Sequence, residues 1–179
     1  MEPRTTIECF DRYLEEKDIS LRAVVIGATA LSFLGVISRA TKDCDVLDPD
    51  LPDNIKKAAE EFAARKRQEG WEIGDKWFNN GPASLRKDLS PGWINRLIPI
   101  FSGKALSLFT LGRDDLLKTK LFGYCDRFQD LEDCLALKPT KEELKDTLLW
   151  LQARDANPAW PEHVKKSLQR LAKRLGYEL

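Results

Sequence analysis

The chain has 179 residues, which is enough for one domain with a substantial core, or for a small core with a helical extension. Hydrophobic residues make up 42% and charged residues 32%, a composition that excludes a disordered chain. Lysine plus arginine and aspartate plus glutamate both number 29. This balance argues against a protein whose whole surface follows nucleic acid by charge, although local basic patches are compatible with it.

The cysteine pattern and the hydropathy indicate the compartment. The four cysteines form no CxxC pair and the chain has one histidine, His163, so the sequence suggests no zinc site. The N-terminal MEPRTTIECF lacks the apolar stretch of a signal peptide. The longest apolar run, residues 23–37, is broken by two glycines and is shorter than the about 20 residues that span a bilayer. We therefore expect a cytoplasmic protein with reduced thiols and no membrane partner.

The first half of the chain alternates predicted helices and strands. Helical apolar spacing, β-branched runs and turn residues give, in order, a helix over 6–17, a strand over 22–26, a helix over 28–34, a strand over 43–47 and a helix over 52–68. A threonine is expected to cap the first helix, and Pro52 opens the last one.

The second half begins with an irregular stretch and ends in helices. Residues 71–92 carry turn signals and are predicted to be loop with short elements. Strands over 96–101 and 105–111 are predicted to form a hairpin whose first strand lies at a sheet edge because of Pro99. Four helices are predicted after Arg113. The expected fold is α+β: a small mixed sheet flanked by helices in residues 1–112, then a helical subdomain in 113–179 packed on the core.

A pair of aspartates marks the second predicted strand. Asp43 and Asp45 are two residues apart and therefore project to the same side of a strand, while Cys44 faces the core. Two adjacent carboxylates repel each other unless a cation lies between them, and Mg²⁺ needs only one or two carboxylates plus phosphates and waters. The alternative is a solvated charge pair, since this motif is common at strand ends.

Gly27 precedes this pair at a predicted turn from strand to helix. Free N–H groups at the start of a helix attract anions, so the turn is a candidate phosphate site. A glycine turn and a metal-binding pair on the neighbouring strand suit in-line transfer of a nucleotidyl group, with the metal neutralising phosphate charge. Arg39 and Thr41 lie between the two features.

Two ordered blocks of residues carry a family resemblance. The first comprises residues 25–31 (VIGATAL), Gly35, Arg39, Thr41 and Asp43-Cys44-Asp45; the second comprises Asp115-Leu116-Leu117, Lys120-Leu121, Arg127 and Asp130-Leu131-Glu132-Asp133. They resemble the "GGxAL…G…RxTxDxD" and "DLLxxKLxAxxxR…DLxD" segments of AbiEii-type nucleotidyltransferase-like proteins. That family belongs to the minimal nucleotidyltransferase branch of the DNA polymerase beta superfamily.

The resemblance implies a nucleotidyltransferase-like fold and a bacterial Mg²⁺-dependent transferase. It assigns the metal to Asp43 and Asp45, and supporting catalytic roles to Lys120, Asp130 and Asp133. The nucleotide-binding residues would be Gly27, Ala28, Thr29, Arg39, Thr41, Lys120 and Arg127. A nucleoside triphosphate would be the donor and a tRNA or a protein the acceptor. Family members are often toxins of toxin–antitoxin systems, so a cognate antitoxin is a further expected partner.

Several alternatives stay open at this level. Lys120, Asp130 and Asp133 would also suit a salt-bridge network that ties two helices together. Ala28 replaces the usual serine of the turn, and the predicted strands over 96–101 and 105–111 hold no third carboxylate, which favours a module that binds a nucleotide or a protein partner without catalysis. Trp77 and Trp93 are candidates for stacking on a base. The cations of the last helix would form either a solvated face or an RNA contact.

Overall fold

The computed structural model of the chain describes residues 2–128 and 130–179. The chain divides into two compact units, of which the first ends at Gly112 and the second begins at Arg113. The first unit contains a five-stranded mixed sheet with three helices, and the second contains four helices. The prediction of an α+β fold with a small mixed sheet, flanking helices and a C-terminal helical part is confirmed.

The first unit follows the predicted order of elements. Its helices and strands are α1 (Pro3–Glu16), β1 (Leu21–Ile26), α2 (Gly27–Phe33), β2 (Cys44–Asp48), α3 (Asp53–Gln68), β3 (Phe78–Asn79), β4 (Ile98–Ser102) and β5 (Leu106–Thr110). Two short 3₁₀ turns, Ala83–Lys87 and Trp93–Arg96, interrupt the irregular stretch. Only β3 was not predicted.

The start of α1 differs from the prediction. The helix begins at Pro3, and the Glu2 carboxylate accepts hydrogen bonds from the backbone N–H groups of Arg4 (3.1 Å) and Thr5 (2.6 Å). Proline suits the first helical position because its missing N–H would have no partner there. The expected threonine cap is therefore wrong, since Glu2 satisfies the free donors instead.

The sheet has the strand order β3-β2-β1-β5-β4. β1 pairs antiparallel with β2 and parallel with β5, so its neighbours come from both ends of the unit. β3 adds to β2 in parallel, and β4 closes the other edge by pairing antiparallel with β5. The predicted hairpin and the edge position of the Pro99 strand are both confirmed.

The core of the first unit lies between one face of the sheet and helices α1 and α3. Apolar residues at helical spacing supply Ile7, Phe10 and Leu14 from α1, and Ile55, Ala59 and Phe62 from α3. Trp77 is fully buried among the rings of Phe10, Phe62 and Phe78, and its indole N–H donates to the Ala59 carbonyl at 3.0 Å. The hypothesis that Trp77 stacks on a base is therefore wrong.

A buried carboxylate ties α1 to the β4–β5 hairpin. Asp11 accepts hydrogen bonds from three successive backbone N–H groups, those of Lys104 (3.2 Å), Ala105 (2.9 Å) and Leu106 (2.7 Å). A side chain at Gly103 would overlap this carboxylate, so the turn requires glycine. The contact joins residues more than 90 positions apart in the chain.

The second unit consists of α4 (Arg113–Arg127), α5 (Leu131–Leu137), α6 (Lys141–Gln152) and α7 (Trp160–Arg174). α6 begins where predicted because Thr140 and Glu143 form a reciprocal capping box. α7 buries Val164, Leu168 and Leu171 and exposes its basic side chains. Within the residues that the structure describes, no helix combines the length and the apolarity needed to cross a membrane.

Candidate active site

The turn from β1 to α2 brings the backbone of Gly27 close to the carboxylate of Asp45. Gly27 has a φ of +74°, a backbone conformation that side-chain-bearing residues rarely adopt. A Cβ atom built at this position would lie 2.6 Å from Asp45 Oδ2. The preceding residue, Ile26, pairs with Asp45 across the antiparallel β1–β2 ladder. Glycine therefore allows the backbone of the turn to approach the Asp45 carboxylate directly.

The aspartates flank a buried residue at the start of β2. Cys44 and Asp45 lie in the strand and project to opposite sides, with Cys44 buried and Asp45 half-buried. The strand begins one residue later than predicted, so the exposed Asp43 immediately precedes it. Burial raises the pKa of the Cys44 thiol well above its ordinary range, which keeps this cysteine neutral. The common orientation of Asp43 and Asp45 stays a prediction, because strand geometry applies to Asp45 and not to Asp43.

Two threonines fix the backbone at Asp43. The hydroxyl of Thr29, which is fully buried in α2, donates to the Asp43 carbonyl at 2.9 Å, and the hydroxyl of Thr41 approaches the same oxygen at 3.3 Å. The structure thus gives Thr29 a positioning contact next to the pair. Arg39 is exposed on the segment between α2 and β2, and Ala28 is half-buried at the start of α2.

These side chains offer a small set of metal ligands. Across residues 2–128 and 130–179 there is no group of three or more His, Cys, Asp or Glu side chains placed to hold a metal ion. Asp43 and Asp45 would therefore supply two carboxylates, of which that of Asp43 is exposed to solvent. Mg²⁺ accepts such a set because it keeps several waters and takes its other ligands from substrate phosphates. The residues present fit that ion when a nucleotide is bound with it.

The unpredicted strand β3 places a neutral side chain beside the pair. In the parallel β2–β3 ladder, Cys44 is paired with Phe78 and Asp45 with Asn79. Phe78 is buried like Cys44, so Asn79 lies on the same side of the sheet as Asp45. The Asn79 amide is held locally, since its oxygen accepts from the Gly81 N–H at 2.7 Å and its nitrogen donates to the Lys76 carbonyl at 3.2 Å.

Sequence reasoning missed Asn79 because a two-residue strand leaves too little pattern to recognise. Its only signal was the turn sequence Asn79-Asn80-Gly81-Pro82, which is typical of a loop. The sheet register shows that a third carboxylate beside Asp45 would be expected on β3 rather than on the two later strands. This chain has an amide there.

The second block of residues forms a separate cluster inside the helical unit. Lys120 Nζ lies 2.8 Å from Asp130 Oδ1 and 2.7 Å from Asp133 Oδ2. The side chains of Lys120 and Asp133 are 7% and 1% exposed, and that of Asp130 is 23% exposed. Burial by itself lowers the pKa of the Lys120 ammonium, but the hydrogen bonds to both aspartates outweigh it and the pKa is raised.

Gly123 makes this cluster possible. It lies one helical turn after Lys120, and a Cβ atom built there would lie 2.5 Å from Asp130 Oδ2. Asp130 has a left-handed backbone, with a φ of +62°, and its carboxylate gives α5 no cap because it points to Lys120 instead. Arg127, which the resemblance gives as a nucleotide-binding residue, is 60% exposed and lies 3.8 Å from Asp126.

The structure thus groups the predicted site residues in two sets. Gly27, Thr29, Thr41, Asp43 and Asp45 come together in the first unit. Lys120, Asp130 and Asp133 come together in the second unit, in the geometry of the salt-bridge alternative. Their predicted roles in phosphate contact and catalysis remain predictions.

Comparison with known proteins adds one finding. No curated protein and no solved structure is significantly similar to the chain. A family model described as "Nucleotidyltransferase of unknown function (DUF6036)" matches residues 6–142, about three quarters of the chain. The match includes the whole sheet, the Gly27 turn, both aspartates and the Lys120 cluster. This chain therefore belongs to the DUF6036 family of nucleotidyltransferases.

Proposed function

We propose that this chain is a Mg²⁺-dependent nucleotidyltransferase that moves a nucleotidyl group from a nucleoside triphosphate to an RNA or protein acceptor. The approach of the Gly27 turn to within contact of Asp45 is the observation that carries the proposal. A turn that can bind phosphate then lies next to a carboxylate that can bind the metal ion coordinated by that phosphate. In the proposed reaction an acceptor hydroxyl attacks the α-phosphorus, pyrophosphate leaves, and the hydroxyl proton passes to solvent.

The proposed roles follow the contacts around the turn. Asp43 and Asp45 hold the metal, and the backbone of Gly27 and Ala28 holds the phosphates. A bound Mg²⁺ would neutralise charge on the phosphates and lower the pKa of the attacking hydroxyl. Thr29 and Thr41 position Asp43 through its carbonyl, and Arg39, exposed on the segment between α2 and β2, would attract the phosphates by its charge. These roles agree with the nucleotidyltransferase family to which the chain belongs.

For the second cluster we propose a structural role, with catalysis as the alternative. The Lys120 ammonium already has two carboxylate partners and very little exposed surface. A phosphate contact by Lys120 would require it to exchange at least one of these partners. Arg127 is 60% exposed and has one exposed partner, Asp126, at 3.8 Å, so it could reach an anion at a lower desolvation cost than the buried Lys120. Lys120, Asp130 and Asp133 would then shape the helical unit rather than take part in the reaction.

We further propose that the protein belongs to the AbiEii-type branch and acts as a bacterial toxin whose activity a cognate antitoxin restrains. Support comes from the two residue blocks described above, both of which lie within the matched residues 6–142. Expression of the wild-type chain in bacteria should slow growth, and the Asp43→Asn/Asp45→Asn variant should not.

The direct test is transfer of label. The protein is incubated with each α-³²P-labelled nucleoside triphosphate, MgCl₂ and total RNA, and the products are separated on a denaturing gel. Asp43→Asn and Asp45→Asn should each reduce transfer at least about 100-fold, because a neutral amide is a poor ligand for a hard cation. The matched control is Asp53→Asn, which neutralises an exposed aspartate in the first turn of α3. Unchanged transfer by both site variants would contradict the proposal.

A second candidate function is nucleotide binding without transfer. Asn79 and Ala28 favour it: Asn79 places a neutral amide beside Asp45 where a third carboxylate would carry charge, and Ala28 lacks the hydroxyl of a serine at the turn. This alternative predicts a Mg²⁺-dependent thermal shift with nucleotide and no labelled product. Asn79→Asp distinguishes the two further: if the site lacks only a third carboxylate, this variant should bind Mg²⁺–nucleotide more tightly and gain transfer.

A further inference from the structure

The helical unit contains a pocket with an aromatic and apolar floor and a cationic rim. Its volume is about 510 Å³, and it is lined by Tyr124, Phe128, Leu131, Arg170, Lys173 and Arg174. The floor comes from the end of α4 and the start of α5, and the three cations come from the last two turns of α7. All of the lining residues fall within residues 113–179. The pocket therefore belongs to the helical unit, and neither Asp43 nor Asp45 lines it.

The three cations share one face of α7 and are exposed. Lys173 and Arg174 follow Arg170 by three and four residues, so the three side chains are neighbours on the helix surface within about 6 Å along its axis. Among the described residues none of the three forms an ion pair, whereas Lys166 on the same helix lies 3.7 Å from Glu162. The rim therefore carries uncompensated positive charge.

The aromatic side of the pocket is exposed and held in place. Phe128 follows the last residue of α4 with a φ of +53°, and it is 56% exposed, which is unusual for a phenylalanine. Its ring meets that of His163 nearly at right angles, with centroids 5.4 Å apart. His163 in turn stacks on Trp160 and lies 2.8 Å from the Cys125 carbonyl. This chain of contacts fixes the Phe128 ring beside the cations.

We propose that this pocket binds single-stranded RNA, with one base stacked on Phe128 and the adjoining phosphates at Arg170, Lys173 and Arg174. Each nucleotide unit carries a flat π-surface and an anion, which matches an aromatic floor beside a cationic rim. An acidic peptide would satisfy the cations but would leave the Phe128 ring exposed. The inference rests on the proposed function in one respect: it narrows the acceptor from RNA or protein to RNA.

The test measures RNA binding without any transfer. Fluorescence anisotropy follows a labelled unstructured 12-nucleotide RNA on the full chain carrying Asp43→Asn/Asp45→Asn, with no nucleotide and no Mg²⁺ present. Arg170→Gln/Lys173→Gln/Arg174→Gln should weaken binding at least about 10-fold and reduce the slope of log K against log salt by about 2. Phe128→Ala should weaken binding about 10-fold and leave the salt slope unchanged. A blunt-ended RNA duplex should bind more weakly than the single strand.

The matched control removes three exposed cations of the same unit that lie outside the pocket, in Lys145→Gln/Lys165→Gln/Lys166→Gln. An equal loss of affinity in this control would overturn the proposal, because it would show attraction by general charge. Absence of RNA binding by the parent chain would also overturn it. This assay omits the donor nucleotide and uses a chain without the two aspartates, so its outcome does not depend on transfer. RNA binding in this assay, together with no label transfer by the wild-type chain, would refute the proposed function and leave the RNA pocket standing.

Discussion

At the scale of single residues, Gly27 links conformation to the candidate chemistry. Gly27→Ala should cost about 1–2 kcal/mol of unfolding free energy, because an alanine resists a φ of +74°. The new Cβ would also push the Asp45 carboxylate aside, since it would lie 2.6 Å from Oδ2. We therefore expect the affinity for Mg²⁺–nucleotide, measured by isothermal titration calorimetry, to fall at least about 10-fold.

Gly35 provides the matched control for this prediction. It has a φ of +71°, but a Cβ atom built there would have no neighbour within 4 Å. Gly35→Ala should thus lose a similar amount of stability and keep nucleotide affinity. If both variants lost affinity equally, the contact between the turn and Asp45 would have no special role, and backbone strain alone would explain the result.

Residue-level prediction from the sequence depends on how local the cause is. The burial of Cys44 beside Asp45 follows from strand geometry and is confirmed, whereas the common side of Asp43 and Asp45 stays a prediction because Asp43 precedes β2. The environment of Trp77 could not be predicted in this way, because its burial depends on Phe10 and Phe62, which come from two helices distant in the chain. An isolated tryptophan in an irregular segment gives no sign of such partners.

At the scale of elements, the Lys120 cluster joins α4 to α5. Lys120→Met should destabilise the helical unit by about 3 kcal/mol, because Asp130 and the buried Asp133 would lose the cation that they share. Hydrogen exchange with mass spectrometry on peptides from α4 and α5 would measure this loss. Lys166→Met, which removes an exposed ion pair with Glu162, should change protection by less than about 1 kcal/mol.

The same cluster predicts a dependence on pH. The pKa of Lys120 is raised in the folded chain, so its contribution to stability is complete below its ordinary value of 10.5 and is lost as pH rises through the folded value. Lys120→Met should lack this alkaline loss. If instead Lys120→Met left exchange unchanged and weakened only nucleotide affinity, the phosphate-contact role of Lys120 would be supported and the structural role would be wrong.

Element boundaries were predictable in proportion to their local signals. Pro52 and the apolar face of α3 predicted a helix that the structure gives as Asp53–Gln68. β3 gave no such signal, because its two residues become a strand only by pairing with Cys44 and Asp45, more than 30 positions earlier. Likewise the sequence allowed two interpretations of Lys120, and only the position of Nζ between two carboxylates favours the salt-bridge network.

At the scale of the whole molecule, thiol access tests how the chain is packed. Cys44, Cys125 and Cys134 are buried, and Cys9 is half-buried. Burial raises the pKa of all three inner thiols, that of Cys125 to about 12, so they are protonated and unreactive at neutral pH. Ellman's reagent should therefore titrate one thiol quickly in the native protein and all four in guanidinium chloride.

The control for this measurement is Cys9→Ser, which should leave no fast thiol in the native protein. Rapid reaction of two or more thiols in the wild-type chain would show that one of the two units opens readily.

The fold class was predictable for the whole chain. A part with a sheet and helices followed by an all-helical part could be read from the sequence, because both depend on the order of periodic segments.

The Asp11 carboxylate has a consequence for the order in which the chain acquires its structure on the ribosome. α1 emerges before the β4–β5 hairpin, but the three N–H groups from which Asp11 accepts hydrogen bonds belong to residues 104–106. Strand β1 can pair with β2 early, but its second ladder cannot form until β5 has been synthesised. Helix α1 can therefore form early, but we expect it to become protected from proteases only once translation has passed the β4–β5 hairpin, so that the first unit matures late and as a whole.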